Sequence, residues 1–95
     1  MEITDIKIRK IQTEGKMKGV ASVTFDDVFA VHDIKVIQTE EKLFIAMPSR
    51  KMDETRYRDI AHPTNSEMRD ILSRAIIDKY HQQMAALRVD PPEEF

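Results

Sequence analysis

The chain contains no cysteine, which removes disulfides, thiolate nucleophiles and cysteine-bound zinc. Its only glycines, Gly15 and Gly19, are too few to build a phosphate-cradling loop of the nucleotide-binding kind. No stretch approaches the roughly 20 apolar residues that span a bilayer. Residues 1–10 alternate charge with isoleucine and lack the apolar centre of a signal peptide, so the expected setting is the cytoplasm, with no membrane partner. An excess of positive charge is missing too: 15 Lys and Arg face 17 Asp and Glu, for a formal net charge of −2. A polyanion site on such a chain has to be a local patch.

What is present suits one soluble domain. Hydrophobic residues make up 41% and charged residues 34% of 95 positions. A chain this short buries a thin core, so association with a second copy is expected.

Ile6 and Ile8 alternate with Asp5, Lys7 and Arg9, predicting a half-exposed strand over 3–10. Thr13-Glu14-Gly15-Lys16 reads as a turn with Gly15 at positive φ. A second strand over 18–25 sets Ala21, Val23 and Phe25 on one side. Asp26-Asp27 then reads as a tight hairpin turn without the usual glycine. The third strand, 28–38, places Val28, Ala30, Ile34 and Val36 on one face and Phe29, Val31 and Ile37 on the other, which predicts a strand that is central in its sheet or buried at an interface. Residues 43–47 form a continuous apolar strand that Pro48 ends. A polar, charged stretch over 49–55 and a short strand over 56–61 follow and read together as one long hairpin arm.

Thr64 or Asn65 can cap a helix over 66–87, with Glu67 placed for a capping box with Thr64. Met68, Ile71, Leu72, Ala75, Ile76, Tyr80, Met84 and Leu87 recur at helical steps and form an apolar stripe. The fold expected is α+β: an antiparallel β-meander of four to five strands with one long C-terminal helix packed on the sheet, dimeric, occupying residues 1–88, with an acidic, frayed tail over 89–95. The dimer is expected to cover the sheet face that the helix leaves open.

Catalytic and metal chemistry find no constellation. His32, His62 and His81 stand on different elements without paired carboxylates, and Ser22, Ser49, Ser66 and Ser73 lack a nucleophile motif. A non-enzymatic protein without cofactor, metal or small-molecule substrate is expected. The basic arm is the most suggestive feature: residues 50–58 hold four bases, Arg50, Lys51, Arg56 and Arg58, against Asp53 and Glu54. Such cations can straddle phosphates, and Tyr57 offers a ring for an unpaired base. The alternative is a solvated hairpin. On the helix, Arg74 stands four residues from both Asp70 and Asp78, a surface-pairing pattern. Arg69 falls in the first turn on the side facing the sheet, where the helix dipole disfavours a cation. Two readings are open for it: a salt bridge to Asp59 or Asp33, or a phosphate shared with the free amides of the helix start. Lys79 falls in the apolar stripe and is expected to snorkel.

Three ordered blocks resemble a known family. Val31-His32-Asp33-Ile34-Lys35-Val36-Ile37, Leu43-Phe44-Ile45-Ala46-Met47-Pro48-Ser49-Arg50-Lys51 and Arg58-Asp59-Ile60-Ala61-His62-Pro63-Thr64-Asn65-Ser66 are similar to the signature stretches of the SpoVG septation-protein family. The likeness runs from Met1 to about His81. It implies a bacterial cytoplasmic homodimer that binds DNA, and in some members RNA, and regulates gene expression in connection with septation and sporulation. The resemblance places nucleic-acid contacts on Arg50 and Lys51 and on Arg69 and Arg74. Arg56 and Arg58 join that set from the charge of the arm alone. Met52-Asp53-Glu54-Thr55 departs from the proline- and glycine-bearing turn expected of the family. A different class of function is also compatible with the chain, that of an adaptor docking another protein by a sheet face or strand edge.

Overall fold

The computed structural model describes residues 1–11 and 14–88, with the side chains of Leu87 and Arg88 left aside. Four strands, β1 (Ile3–Arg9), β2 (Met17–Phe25), β3 (Phe29–Gln38) and β4 (Leu43–Ala46), form an antiparallel meander in that spatial order. Two short strands, β5 (Ser49–Lys51) and β6 (Tyr57–Asp59), pair only with each other. The strand expected over 56–61 therefore belongs to a separate arm, because it pairs back onto Ser49–Lys51 across a local turn. One helix, α1 (Ser66–Arg88), completes the α+β domain. The expected tail over 89–95, Thr13 of the first turn and the Leu87 side chain lie outside the described residues.

Local chemistry accounts for the turns. Gly15 has φ of 81°, a conformation open to a residue without Cβ. Asp26 and Asp27 both take left-handed φ, 53° and 60°, the requirement of tight hairpin turns that glycine usually meets. Here the N-terminal segment supports the strain. Asp26 Oδ1 accepts from the Glu2 amide at 2.9 Å, and the Asp27 amide donates to Thr4 Oγ1 at 3.0 Å. Asn65 caps α1, its Oδ1 accepting from the Met68 amide at 2.7 Å. With Asn65 as the cap, Met68 takes the third helical position and the Thr64–Glu67 box is not formed.

The face assignment expected for β3 is corrected. Ala21 pairs with Ile34 but Val23 pairs with Val31, so one residue of β2, Ser22, faces two of β3, His32 and Asp33. Asp33 is the bulged residue, with φ of 65°. The extra residue inverts the alternation. Val31 joins Ile34 and Val36 against the core, and Phe29 lines an apolar cleft on the same side. Val28 and Ala30 are exposed instead of sharing the buried face. The helix-free face thereby loses Phe29 and Val31 and keeps Ile37 and Phe44 as half-buried apolar residues.

The core lies between sheet and helix. Ile8, Ala21, Val23, Phe25, Ile34 and Val36 meet Leu72, Ile76 and Tyr80. Helix α1 bridges the outer strands β1 and β4 over this core. Its buried line is narrower than the stripe expected, running through Met68, Leu72, Ile76, Tyr80 and Met84 at four-residue steps. Ile71 sits on the shoulder, 50% exposed. Side chains such as Ile34 and Ile76, fully excluded from water, each contribute on the order of 1.5–3 kcal/mol of transfer free energy.

Candidate functional site

Proline sets the arm's base and a carboxylate sets its tip. Pro48 closes β4, and its carbonyl accepts from the Ile60 amide at 2.7 Å, so both legs of the arm leave the sheet side by side. At the tip, Asp53 replaces the proline and glycine expected there. Its Oδ1 accepts from the amides of Thr55 and Arg56, both at 3.0 Å, and its Oδ2 accepts from Arg56 Nε at 2.8 Å. The Met52 amide donates to the Arg56 carbonyl at 2.9 Å. The Thr55 amide, the Arg56 side chain and the remaining local donors hold the Asp53 carboxyl below its ordinary range.

The register of the arm sorts its cations. Arg50 stands directly opposite Arg58, Lys51 opposite Tyr57, and Ser49 opposite Asp59. Cross-strand partners share a face. One face therefore presents two guanidinium groups, and the other presents Lys51 beside a Tyr57 ring that is 65% exposed. Arg56 is committed to the Asp53 salt bridge. Among the described residues no carboxylate lies within ion-pair distance of Arg50, Lys51 or Arg58.

Arg69 comes to the same place from the helix. Tyr57, Arg58, Asp59, His62 and Arg69 line one open hollow where the arm meets the start of α1. Of the two readings open for Arg69, the salt bridge is not formed. Asp59 shares the hollow without reaching ion-pair distance, and Asp33 lies in the bulge of the opposite sheet face. Arg69 is exposed instead of packing toward the sheet beside Ile76 and Tyr80. One of the helix-start amides is already used by the Asn65 cap.

Arg74 stands apart. It is exposed five residues further along α1, about 7.5 Å of rise and some 140° of rotation from Arg69. The expected pairs with Asp70 and Asp78 are not closed within ion-pair distance. The structure thus brings Arg58 and Arg69 to one hollow, sets Arg50 opposite Arg58 on one face of the arm and Lys51 on its reverse face, binds Arg56 into the tip and leaves Arg74 outside.

His62 is the hollow's residue that charge counting passed over. Its Nδ1 lies 2.9 Å from the Pro63 carbonyl, which fixes the ring beside Arg58 and Arg69. The His62-Pro63 dipeptide before a helix was the available signal. His32 makes a different contact, with Nδ1 2.9 Å from Ser22 Oγ. A third group that would orient this pair for nucleophilic attack is absent among the described residues, and no group of three potential metal ligands occurs there. Among the described residues, no helix is long and apolar enough to cross a membrane.

Fold and surface together define a small α+β domain that carries a basic β-hairpin arm beside the start of its one helix. The SpoVG family model matches residues 1–82, and the chain belongs to the SpoVG family. A protein of Acetivibrio thermocellus named as a septation protein, SpoVG, is 64% identical over 80 residues, 84% of this chain and 85% of that protein. Proteins bearing the same name from Caldicellulosiruptor saccharolyticus and Clostridioides difficile are 56% and 54% identical. They cover 90% and 94% of this chain and 98% and 97% of their own lengths.

Proposed function

We infer that this protein is a non-enzymatic, cytoplasmic nucleic-acid-binding regulator, working as a homodimer on DNA, with RNA as the alternative ligand, in the septation setting that its relatives' names indicate and the sporulation setting that the family resemblance implies. The observation that carries this reading is the Arg50–Arg58 pair. Like charges directly opposite on a hairpin oppose strand pairing, and among the described residues no carboxylate stands within ion-pair distance of either. A phosphate chain laid along that face offsets both, with Arg69 and His62 continuing the surface at the hollow. The mechanism is electrostatic grip of the backbone, with Tyr57 and Lys51 on the reverse face available for limited base contact.

Two copies double the number of phosphate contacts. The exposed Val28 and Phe29, 84% and 61% accessible, support association at the β2–β3 turn in place of the helix-free face, which carries Lys7, Arg9 and Lys35, and sedimentation equilibrium reads the stoichiometry directly. The test of the main reading is a filter-binding titration with mixed-sequence DNA and RNA at several salt concentrations. The double variant Arg50→Ala with Lys51→Ala should bind more weakly and with a shallower salt dependence; binding equal to the unmodified protein removes these two residues from the site.

The adaptor reading is favoured by one specific feature. Strand β4 is a sheet edge of four uncharged residues, Leu43–Ala46, suited to strand addition. An adaptor would retain neither nucleic acid at any salt concentration in the same assay.

A further inference from the structure

The helix-free face of the sheet carries a second cationic cluster that the arm does not include. The bulge at Asp33 sets His32 across from Ser22, and Ser22 Oγ sits between the side chains of His32 and Arg9. His32 Nδ1 is 2.9 Å away and Arg9 Nη2 donates at 3.3 Å. Lys7 is the register partner of Ser22 on β1, and Arg9, Val20 and Lys35 form the adjoining row across β1, β2 and β3. Successive rows on one face lie about 7 Å apart and strands about 4.8 Å apart. Three cations and an imidazole thus surround one hydroxyl on a flat surface. Asp5 and Asp33 are the acids bordering it, and neither reaches ion-pair distance of Lys7, Arg9 or Lys35.

We propose that this cluster is a second phosphate seat, and that the ligand running from the arm onto the sheet is a single-stranded nucleic acid. The proposal rests on the reading of the arm as a nucleic-acid site and extends it. Continuity comes from an open hollow where Lys10 and Lys35 stand with the one acid Asp33, and Val20 with Ser49 and Ile60, which joins the sheet cluster to the base of the arm. Strand form is set by the rings. His32 and Tyr57 are both exposed, each with cations beside it, the pairing of stacking platform and phosphate contact that unpaired bases need. A duplex keeps its base faces stacked inside and cannot use either ring. Val20, half-buried between Arg9 and Lys35, supplies an apolar floor against which a splayed base can rest.

The experiment uses the full chain and three fluorescent probes: a thymidine homopolymer, a uridine homopolymer and a mixed-sequence duplex. Anisotropy titrations compare the unmodified protein, a sheet variant (His32→Ala with Lys35→Gln) and an arm variant (Arg50→Ala with Arg58→Ala). The sheet variant should lose about tenfold in affinity for both homopolymers, the order of one stacked base plus one phosphate contact, and little for the duplex. The arm variant should weaken on all three. Sheet-variant binding to the homopolymers at the unmodified level, while the arm variant fails, overturns the second seat and leaves the arm reading standing. Failure of the unmodified protein to bind any probe overturns both. Should the sheet variant unfold, amide shift mapping of the unmodified protein decides: the homopolymers should move the Val20, Ser22 and His32 amides, and shifts confined to 49–62 overturn the proposal.

Discussion

Replacing Arg50 by Glu separates structure from function in the arm, because the two are expected to move in opposite directions. Arg50 and Arg58 are directly opposed on an exposed two-stranded hairpin. The substitution turns a like-charge pair into an opposite-charge pair, a change of about 0.2–1 kcal/mol in favour of strand pairing. Exposure and salt place the true gain toward the lower end of that range. The same substitution removes one phosphate contact per protomer and adds a repulsive carboxylate. For duplex DNA each lost contact should flatten the plot of log affinity against log salt by about 0.9, and a dimer doubles this. Two measurements on one protein read both effects. Amide hydrogen exchange at Met52 and Ile60, which donate across the arm to the Arg56 and Pro48 carbonyls, should slow by about 1.5- to twofold if the whole gain appears in local opening, while gel-shift affinity falls at every salt concentration. Faster exchange would refute the like-charge argument, and undiminished affinity would refute the placement of Arg50 at the phosphate chain. A loss of affinity together with a loosened arm would assign the whole effect to structure.

Three further outcomes test the fold that holds these groups. Ile76→Ala empties a side chain that is fully buried against the sheet and should cost about 2–5 kcal/mol in urea denaturation; a loss under 1 kcal/mol would mean that the helix is not seated on this core. Asp33→Gly should keep the bulge and leave stability equal or higher, whereas Asp33→Val places a β-branched residue at φ of 65° and should destabilise by about 1–2 kcal/mol; thermal melts that rank the two the other way reject the strain assignment. Because hydrogen bonds hold the Asp53 carboxyl below its ordinary range, its contribution is complete above an unfolded value near 3.9 and is lost as pH falls through the lowered native value. Amide exchange at Thr55 and Arg56, corrected for intrinsic rates, should therefore accelerate only below about pH 4, and Asp53→Asn should abolish that step.

Alternation alone was enough to read β1 and β2, since Ile6, Ile8, Ala21, Val23 and Phe25 keep an unbroken period of two, and β4 was legible as an apolar run closed by Pro48. It failed at β3, where one residue, Asp33, resets the phase. An aspartate tolerates left-handed φ far better than its Val and Ile neighbours, but nothing local distinguishes such a bulge from an ordinary polar strand position. The hairpin at Asp26-Asp27 was legible as a turn, while its support by Glu2 and Thr4 is a contact across more than 20 residues. The arm's charge was visible and its register was not. Which arginine faces which depends on a tip that closes through Asp53, and that closure also decides that Arg56 is the one withdrawn. Arg69 was recognisable as a misplaced cation, yet its meeting with Arg58 and His62 required the turn of the chain at Pro63.

The arm contains its own control for the claim that its cations serve a ligand. Within nine residues lie four bases, and one of them, Arg56, is neutralised at 2.8 Å by Asp53 in a geometry that also builds the turn. The chain thus has a carboxylate available in the arm and uses it for closure. Glu54, adjacent in sequence, makes no ion pair with Arg50 or Arg58. An arm maintained only as a solvated hairpin would gain from placing acids opposite its bases, as cross-strand pairs commonly do. Arg50 opposite Arg58 forgoes that gain in a molecule whose acids outnumber its bases. The shortage of local acid is therefore a matter of placement, not supply, and placement of that kind is what a phosphate-binding surface requires.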